Sequence, residues 1–297
     1  NVGHHIFGFM TFSEDGLKHL RHLQNLESLS LTRWSAPTVP AEMLSLPRLR
    51  SLSLNGCKLG AECAERISQM RELNSLSLNS TGTTDAGLRQ IASLPALENL
   101  TLTTATVTDK GMAHIAKQSK IVSLNLSAAH MTDAWLAHAG SMTALTQLSL
   151  HGEHISDDGV AHLKNLPGLK LLSLNVSRLT DASLQHLSQM KSLSWLSLNA
   201  KSRSSSTRMT PTGLQQLNSL PNLHSLSIRD FNMKNVGSGL SSLKQLRSLV
   251  LDDEVLMTEP ELDALSTALP DTYIRQQWMS GSDPIPLRER PKRIAKD

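Results

Sequence analysis

Aromatic side chains are nearly missing from this chain: Phe, Trp and Tyr make up 3% of 297 residues. A compact enzyme core usually draws bulk from such rings, so this interior must be filled by something smaller and repeated. Cysteine is scarcer still, with Cys57 and Cys63 alone. Two thiols six places apart cannot staple a long chain. Two structural thiols outside any disulfide are the favoured reading over a Cys57–Cys63 disulfide. No apolar run reaches the ~18 residues that a membrane-spanning helix needs. Charge of one sign is also lacking: 29 Lys and Arg against 26 Asp and Glu leave +3. Without a basic run in the body of the chain, general phosphate or nucleic-acid binding has no electrostatic basis. No phosphate loop, metal-ligand cluster or nucleophile elbow is visible, so no cofactor and no metal are expected.

What the chain has in abundance is leucine at a fixed interval. Full copies of L-x-x-L-x-L begin at Leu26, Leu49, Leu73, Leu97, Ile121, Leu145, Leu169, Leu193, Leu223 and Leu246. Six of the nine intervals are 24 residues, two are 23 and one is 30, so the period is a property of the whole chain. Such self-similarity marks a repeat architecture. Counting from the first leucine of each copy, apolar residues at places 1, 4 and 6 fit a strand, and those near places 16, 19 and 22 fit one stripe of a helix.

Between strand and helix lies a polar start. Thr84, Thr108, Thr132, Ser156, Thr180 and Thr210 occupy place 12, where a hydroxyl can accept from the unpaired amides of the first helical turn. Asp85, Asp109, Asp133, Asp157 and Asp181 follow, where the helix dipole favours negative charge. Gly87, Gly111, Gly159 and Gly213 at place 15 predict close approach of neighbouring helices; Trp135 stands in the same place and should fill a wider gap. One copy cannot fold alone. Its roughly eight apolar side chains each return about 2 kcal/mol if fully buried. Ordering its backbone costs roughly 1–2 kcal/mol per residue, and burial needs neighbours. The expected product is a stack in which each copy buries the next.

The motifs resemble a known family. L-x-x-L-x-L with a small residue at place 9 (Cys57, Thr81, Ala105, Ala129, Ser177) is similar to the leucine-rich repeat. The start Thr84-Asp-Ala-Gly-Leu88 and the recurring Leu-Pro end resemble the ribonuclease-inhibitor-like and cysteine-containing branch found in bacterial proteins. The closing Ala268-Leu-Pro-Asp-Thr-Tyr-Ile274 looks like the end of such bacterial arrays. The resemblance spans about residues 12–274. It implies an α/β fold: a right-handed solenoid or horseshoe of about ten full repeats, with a parallel sheet on the concave face and helices on the convex face. It implies partner binding through the concave face. The disulfide-bonded end caps of extracellular eukaryotic members are missing, which favours a reducing or bacterial setting, and the Gly-Ala-Leu-Ala signature of some plant-pathogen effectors is missing too.

The chain divides into a repeat domain over residues 1–274 and a cover with a basic tail over 275–297. Within the first, residues 1–25 form a partial copy, with His4 to Phe9 as its strand. Ser35-Ala-Pro-Thr-Val-Pro40 forbids a regular helix start, because proline lacks the amide and fixes φ. Copy 8 carries six extra residues within 200–209, a polar and basic loop; copy 9 replaces Thr-Asp with Lys234-Asn-Val-Gly237. Ile274 should end the stack as a last short strand. The chain opens at Asn1 inside an apparent strand end, which predicts a fragment or processed form. A cytoplasmic setting is favoured, with a secreted bacterial form kept open.

Side chains at places 3, 5 and 7 should face the concave side, opposite the core leucines. Places 3 and 5 carry twenty residues, mostly Ser, with no charge and no His. General acid–base catalysis needs converging titratable groups, so no catalytic residue is expected. The uniformity breaks in one region, where Leu171 and Trp195 stand side by side at place 3, with His151, Asn175, Asn199 and Arg229 at place 7. An open Trp beside Leu and Arg is the composition of a binding hot spot. His114, His138, His162 and His186, all at place 18, read as solvated helix positions, as do His151 and His154 for metal purposes. The Asn-x-Ser/Thr matches, such as Asn99-Leu-Thr101, read as products of the period. The expected function is a non-enzymatic scaffold binding a protein or peptide. The second reading is the recognition part of a larger regulatory or effector protein, ligase- or kinase-linked, whose activity lies elsewhere.

Overall fold

The computed structural model describes residues 4–8, 19–32, 39, 41–176, 178–200, 209–229, 235–252 and 257–277. Each copy delivers one strand, and consecutive strands pair in parallel. The strands are β1 (His4–Gly8), β2 (Leu26–Thr32), β3 (Ser51–Asn55), β4 (Ser75–Asn79), β5 (Asn99–Thr104) and β6 (Ser123–Ala128). They continue with β7 (Gln147–Gly152), β8 (Leu171–Val176), β9 (Trp195–Asn199), β10 (Ser225–Arg229), β11 (Ser248–Asp252) and β12 (Tyr273–Gln277). Spatial order equals chain order throughout the sheet. β2 to β11 are the ten full copies, β1 comes from the partial one, and β12 contains Ile274.

Register is held by leucine. Place 4 runs through Leu29, Leu52, Leu76, Leu100, Leu124 and onward to Leu249, each residue opposite its counterpart on the next strand. Place 6 runs likewise from Leu31 to Leu251, and every member of both columns is at most 3% exposed. A slip by one residue would turn both columns to the solvent side, so the pairing admits one register. Places 3, 5 and 7 alternate with them and stay partly open on β3 and β4, whereas Ser227 at place 5 of β10 is buried. Leu88, Ile91 and Leu94 from the helical half press on the columns from the other side.

The helices are short, running from the ten-residue Glu259–Ala268 and the eight-residue Ala61–Ser68 through seven-residue elements such as Asp133–Ala139 and Asp181–Leu187 to five-residue Asp157–Ala161. Neighbour packing must hold them, because helices this short are marginal alone. Thr84, Thr108, Thr132, Thr180 and Thr210 accept from first-turn amides as expected. Ser156 departs from that expectation and caps nothing. Its hydroxyl instead donates to Asp133 Oδ2 at 2.6 Å, and its amide donates to Asp133 Oδ1 at 2.8 Å. Copy 9, without the Thr-Asp start, enters Val236–Leu240 through Asn235 in the left-handed region, φ 57°.

The Ser156 contact belongs to a ladder that local capping rules do not contain. Asp85, Asp133, Asp157 and Asp181 each accept the backbone amide and the hydroxyl of the place-12 residue in the following copy. The distances are 2.7–2.9 Å for the amide and 2.6–2.7 Å for the hydroxyl. Place 15 of that following copy lies against the same carboxylate. A Cβ at Gly111, Gly159 or Gly213 would overlap Oδ1 of Asp85, Asp133 or Asp181. Ser183 occupies this place differently, donating its own hydroxyl to Asp157. Trp135 also occupies it, buried to 1% exposure, and there Asp109 keeps a bond from Thr132 Oγ1 at 3.2 Å without the amide contact its counterparts have. Gly87 has no carboxylate against it; the nearest atom to a Cβ there is a Thr83 methyl at 3.5 Å.

The thiols of Cys57 and Cys63 are buried and face backbone carbonyls, those of Leu31 at 3.7 Å and Val39 at 3.1 Å. Ala41–Leu44 forms a short 3-10 turn after the proline-bearing stretch. The extra residues of copy 8 at 201–208, Ser13 to Leu17, Lys234 and the tail beyond Gln277 lie outside the described residues.

Two outcomes follow for folding stability, both read by chemical denaturation. Gly159→Ala forces Asp133 from its two donors and should cost about 2 kcal/mol, in the range of a hydrogen bond to a charged group. Gly87→Ala meets only a methyl group and should be neutral or gain up to about 1 kcal/mol from helix propensity. For Asp85, burial raises the carboxyl pKa, but the hydroxyl and amide of Thr108, the Gly111 amide and the charge of Lys110 outweigh it and hold the group below its ordinary value. Its contribution is therefore present above the unfolded value near ~3.9 and lost as pH falls through the lower folded value. The stability gap between wild type and Asp85→Asn should close as pH falls from about 5 towards about 2.

Candidate functional site

The concave face of β7 to β10 carries the side chains that break the serine pattern. Leu171 and Trp195 are direct register partners on β8 and β9. Both are partly exposed, while their chain neighbours Leu172 and Leu196 are fully buried. Four residues further along the strands lies the polar row: His151 opposite Asn175, Asn175 opposite Asn199, Asn199 opposite Arg229. The six candidate residues therefore occupy four adjacent strands. About 13 Å along the strand direction separates the apolar pair from the row. Ser149, Ser173 and Ser197 pave that interval, each partly exposed and in register. Small hydroxyls there leave the floor low and uncharged.

The row differs from its equivalent in earlier copies. Asn55 Oδ1 accepts from Ser77 Oγ at 2.9 Å, and Asn79 Oδ1 accepts from Thr103 Oγ1 at 2.9 Å, so each amide is tied to the next strand. In the candidate site Asn175 Nδ2 is 3.1 Å from His151 Nδ1, whereas Oδ1 of Asn175 and Oδ1 of Asn199 are buried with no donor. An unmatched buried acceptor costs on the order of 1–3 kcal/mol. Arg229 is exposed, and its Nε donates to Ser227 Oγ at 3.2 Å, so the one cation of these four strands' open face is held along the sheet. Gln147, exposed and in register with Leu171, and Ser225, in register with Trp195, flank the apolar pair. The sequence reading left both outside the site, although their shared place number marks them as neighbours.

Among the described residues no group of three or more His, Cys, Asp or Glu converges as metal ligands, and no helix is long and apolar enough to cross a membrane. Of the place-18 histidines, His162 is exposed and His114, His138 and His186 are half-buried.

No family model matches the chain, and no curated protein matches it. Solved structures do. An internalin from Listeria monocytogenes is 19% identical with a TM-score of 0.54, covering 91% of this chain and 85% of its own. The yeast structure of a Rad7 and Elc1 complex contains a chain 16% identical with a TM-score of 0.58, covering 93% of this chain and 87% of its own. At these identities the likeness defines the fold: an α/β leucine-rich-repeat solenoid, the horseshoe its repeats predict.

If the patch residues are not held in place by folding, they should be cheap to remove. Trp195→Ala should change unfolding free energy by under about 1 kcal/mol, whereas Leu196→Ala, one residue on and buried, should cost about 2–5 kcal/mol. Parallel urea titrations of the two variants measure the contrast.

Proposed function

We propose that the chain is a non-enzymatic scaffold that docks a protein or peptide on its concave face, centred on Leu171 and Trp195. One observation carries the reading. Apart from Val250 on β11, the open columns at places 3 and 5 are polar strand after strand, and two adjacent strands in register replace that with a leucine and a tryptophan left partly uncovered. Contact with water is unfavourable for such surface, and aromatic and aliphatic anchors beside an arginine are what binding hot spots are made of. His151, Asn175, Asn199 and Arg229 would form the polar side that orients the partner. The absence of converging titratable groups on the described face supports a binding role over catalysis, and its near-neutral charge disfavours nucleic acid.

The repeats themselves fit the ribonuclease-inhibitor-like, cysteine-containing type, on the Thr-Asp-x-Gly-Leu start and its ladder of carboxylates. The likeness to a chain of the Rad7 and Elc1 complex supports a partner that is a protein and keeps the second reading in view, that of a recognition module within a larger regulatory assembly.

Affinity capture from lysate with wild type, Leu171→Glu and Trp195→Ala as baits, and His162→Ala as a convex-face control, tests the site. A partner held by wild type and the control should lose at least about tenfold in retention with either patch variant, the scale of a hot-spot residue. Equal retention by all four baits would place the interface elsewhere.

A further inference from the structure

We propose that the concave patch takes an extended peptide segment, with a large apolar side chain on Leu171 and Trp195 and, two or four residues from it, an aspartate or glutamate on Arg229. The inference rests on the patch being the docking site and adds the chemistry of what docks there. Three features line up along the strands. The apolar pair stands at place 3 of β8 and β9, and Ser173 and Ser197 follow at place 5. Arg229 closes the line at place 7 of β10, in register with Asn199.

The serine floor under this line differs from its equivalent in earlier copies. On β3 and β4 the place-5 hydroxyls are engaged: Asn55 Nδ2 donates to Ser53 Oγ at 2.9 Å, and Ser77 Oγ donates to Asn55 Oδ1 at 2.9 Å. Ser173 and Ser197 are partly exposed, and neither side chain makes a hydrogen bond among the described residues. Each hydroxyl can donate to and accept from a peptide backbone laid across it. Side chains this small also let that backbone come close.

Arg229 supplies the charge that selects the partner. Its Nε donates to Ser227 Oγ at 3.2 Å, two residues back, so the exposed side chain leans towards the apolar pair. That is its one hydrogen bond among the described residues, and the two terminal nitrogens can meet a carboxylate as a fork. One strand across and four residues along puts the Arg229 backbone about 14 Å from that of Trp195, and the lean brings the guanidinium towards place 5, about 7 Å along the strand. An extended segment sets every second side chain on one face, so an acid two or four places from the anchor faces Arg229 and odd spacings turn it away. The rim agrees in sign: Lys170 and Arg247 are exposed at place 2 of copies 7 and 10, where copies 1 and 4 have Glu27 and Glu98. Asp252 holds place 7 on β11, across Arg229 from the apolar pair.

The probe is a phage-displayed library of random linear peptides, panned in parallel on the full chain as wild type, Arg229→Glu and Leu171→Glu. Wild type should enrich a large apolar residue with Asp or Glu two or four places away. Arg229→Glu should keep the apolar residue and exchange the acid for Lys or Arg at the same spacing, a gain that only a folded chain can give. Leu171→Glu should lose the apolar residue. By fluorescence anisotropy, changing the acid of a selected peptide to its amide should weaken binding to wild type about tenfold and leave binding to Arg229→Ala unchanged. Selected peptides that carry the apolar residue without an acid at these spacings, or whose acid survives the charge reversal, overturn the inference and leave the docking site standing. Peptides indifferent to Leu171→Glu, or no enrichment on wild type, overturn the docking reading and this inference with it.

Discussion

No coil of this protein can keep its leucines from water without the coil on either side. That mutual dependence underlies everything else described. It demands that consecutive strands lie next to one another in one register, which fixes the order of the sheet. It sends places 4 and 6 inward and therefore places 3, 5 and 7 outward, and it aligns equal places on successive copies into columns. A binding patch can then be made by changing a few residues at one place number, because the stack brings them together without further instruction.

The sheet and its columns were legible in the sequence because they follow from a single periodicity. The interval of about 24 residues, read with two-residue alternation, predicts that Leu171 faces Trp195 and that His151, Asn175, Asn199 and Arg229 form a row. The threonine caps at Thr84, Thr108, Thr132, Thr180 and Thr210 were legible for the same reason: a hydroxyl before a helix has an immediate local use.

What was hidden shares one cause. Each of Asp133, Ser156 and Gly159 has an adequate local explanation, as dipole partner, cap and small packing residue. The contact that joins them crosses from one copy to the next, over 23 to 26 residues of chain. Local rules assign every residue a role and so leave no remainder that would point to the bridge. Ser156 is where the local rule fails, since its hydroxyl goes to Asp133 and not to its own helix. The hydrogen bonding within the polar row was hidden in another way. Place numbers set which side chains are neighbours, but the orientation of an amide or an imidazole depends on which neighbour is a donor, and only coordinates supply that.

The carboxylate ladder bears on how such an array is inherited. Because an aspartate in one copy fits a glycine or serine in the copy that follows, the two form one unit that straddles the visible boundary between copies. A duplication cut at the strand would separate them and seat each beside a stranger, as Asp109 sits beside Trp135. The segment that can be copied, lost or exchanged intact therefore runs from the aspartate of one coil to the glycine of the next, out of phase with the leucines by which the repeats are counted.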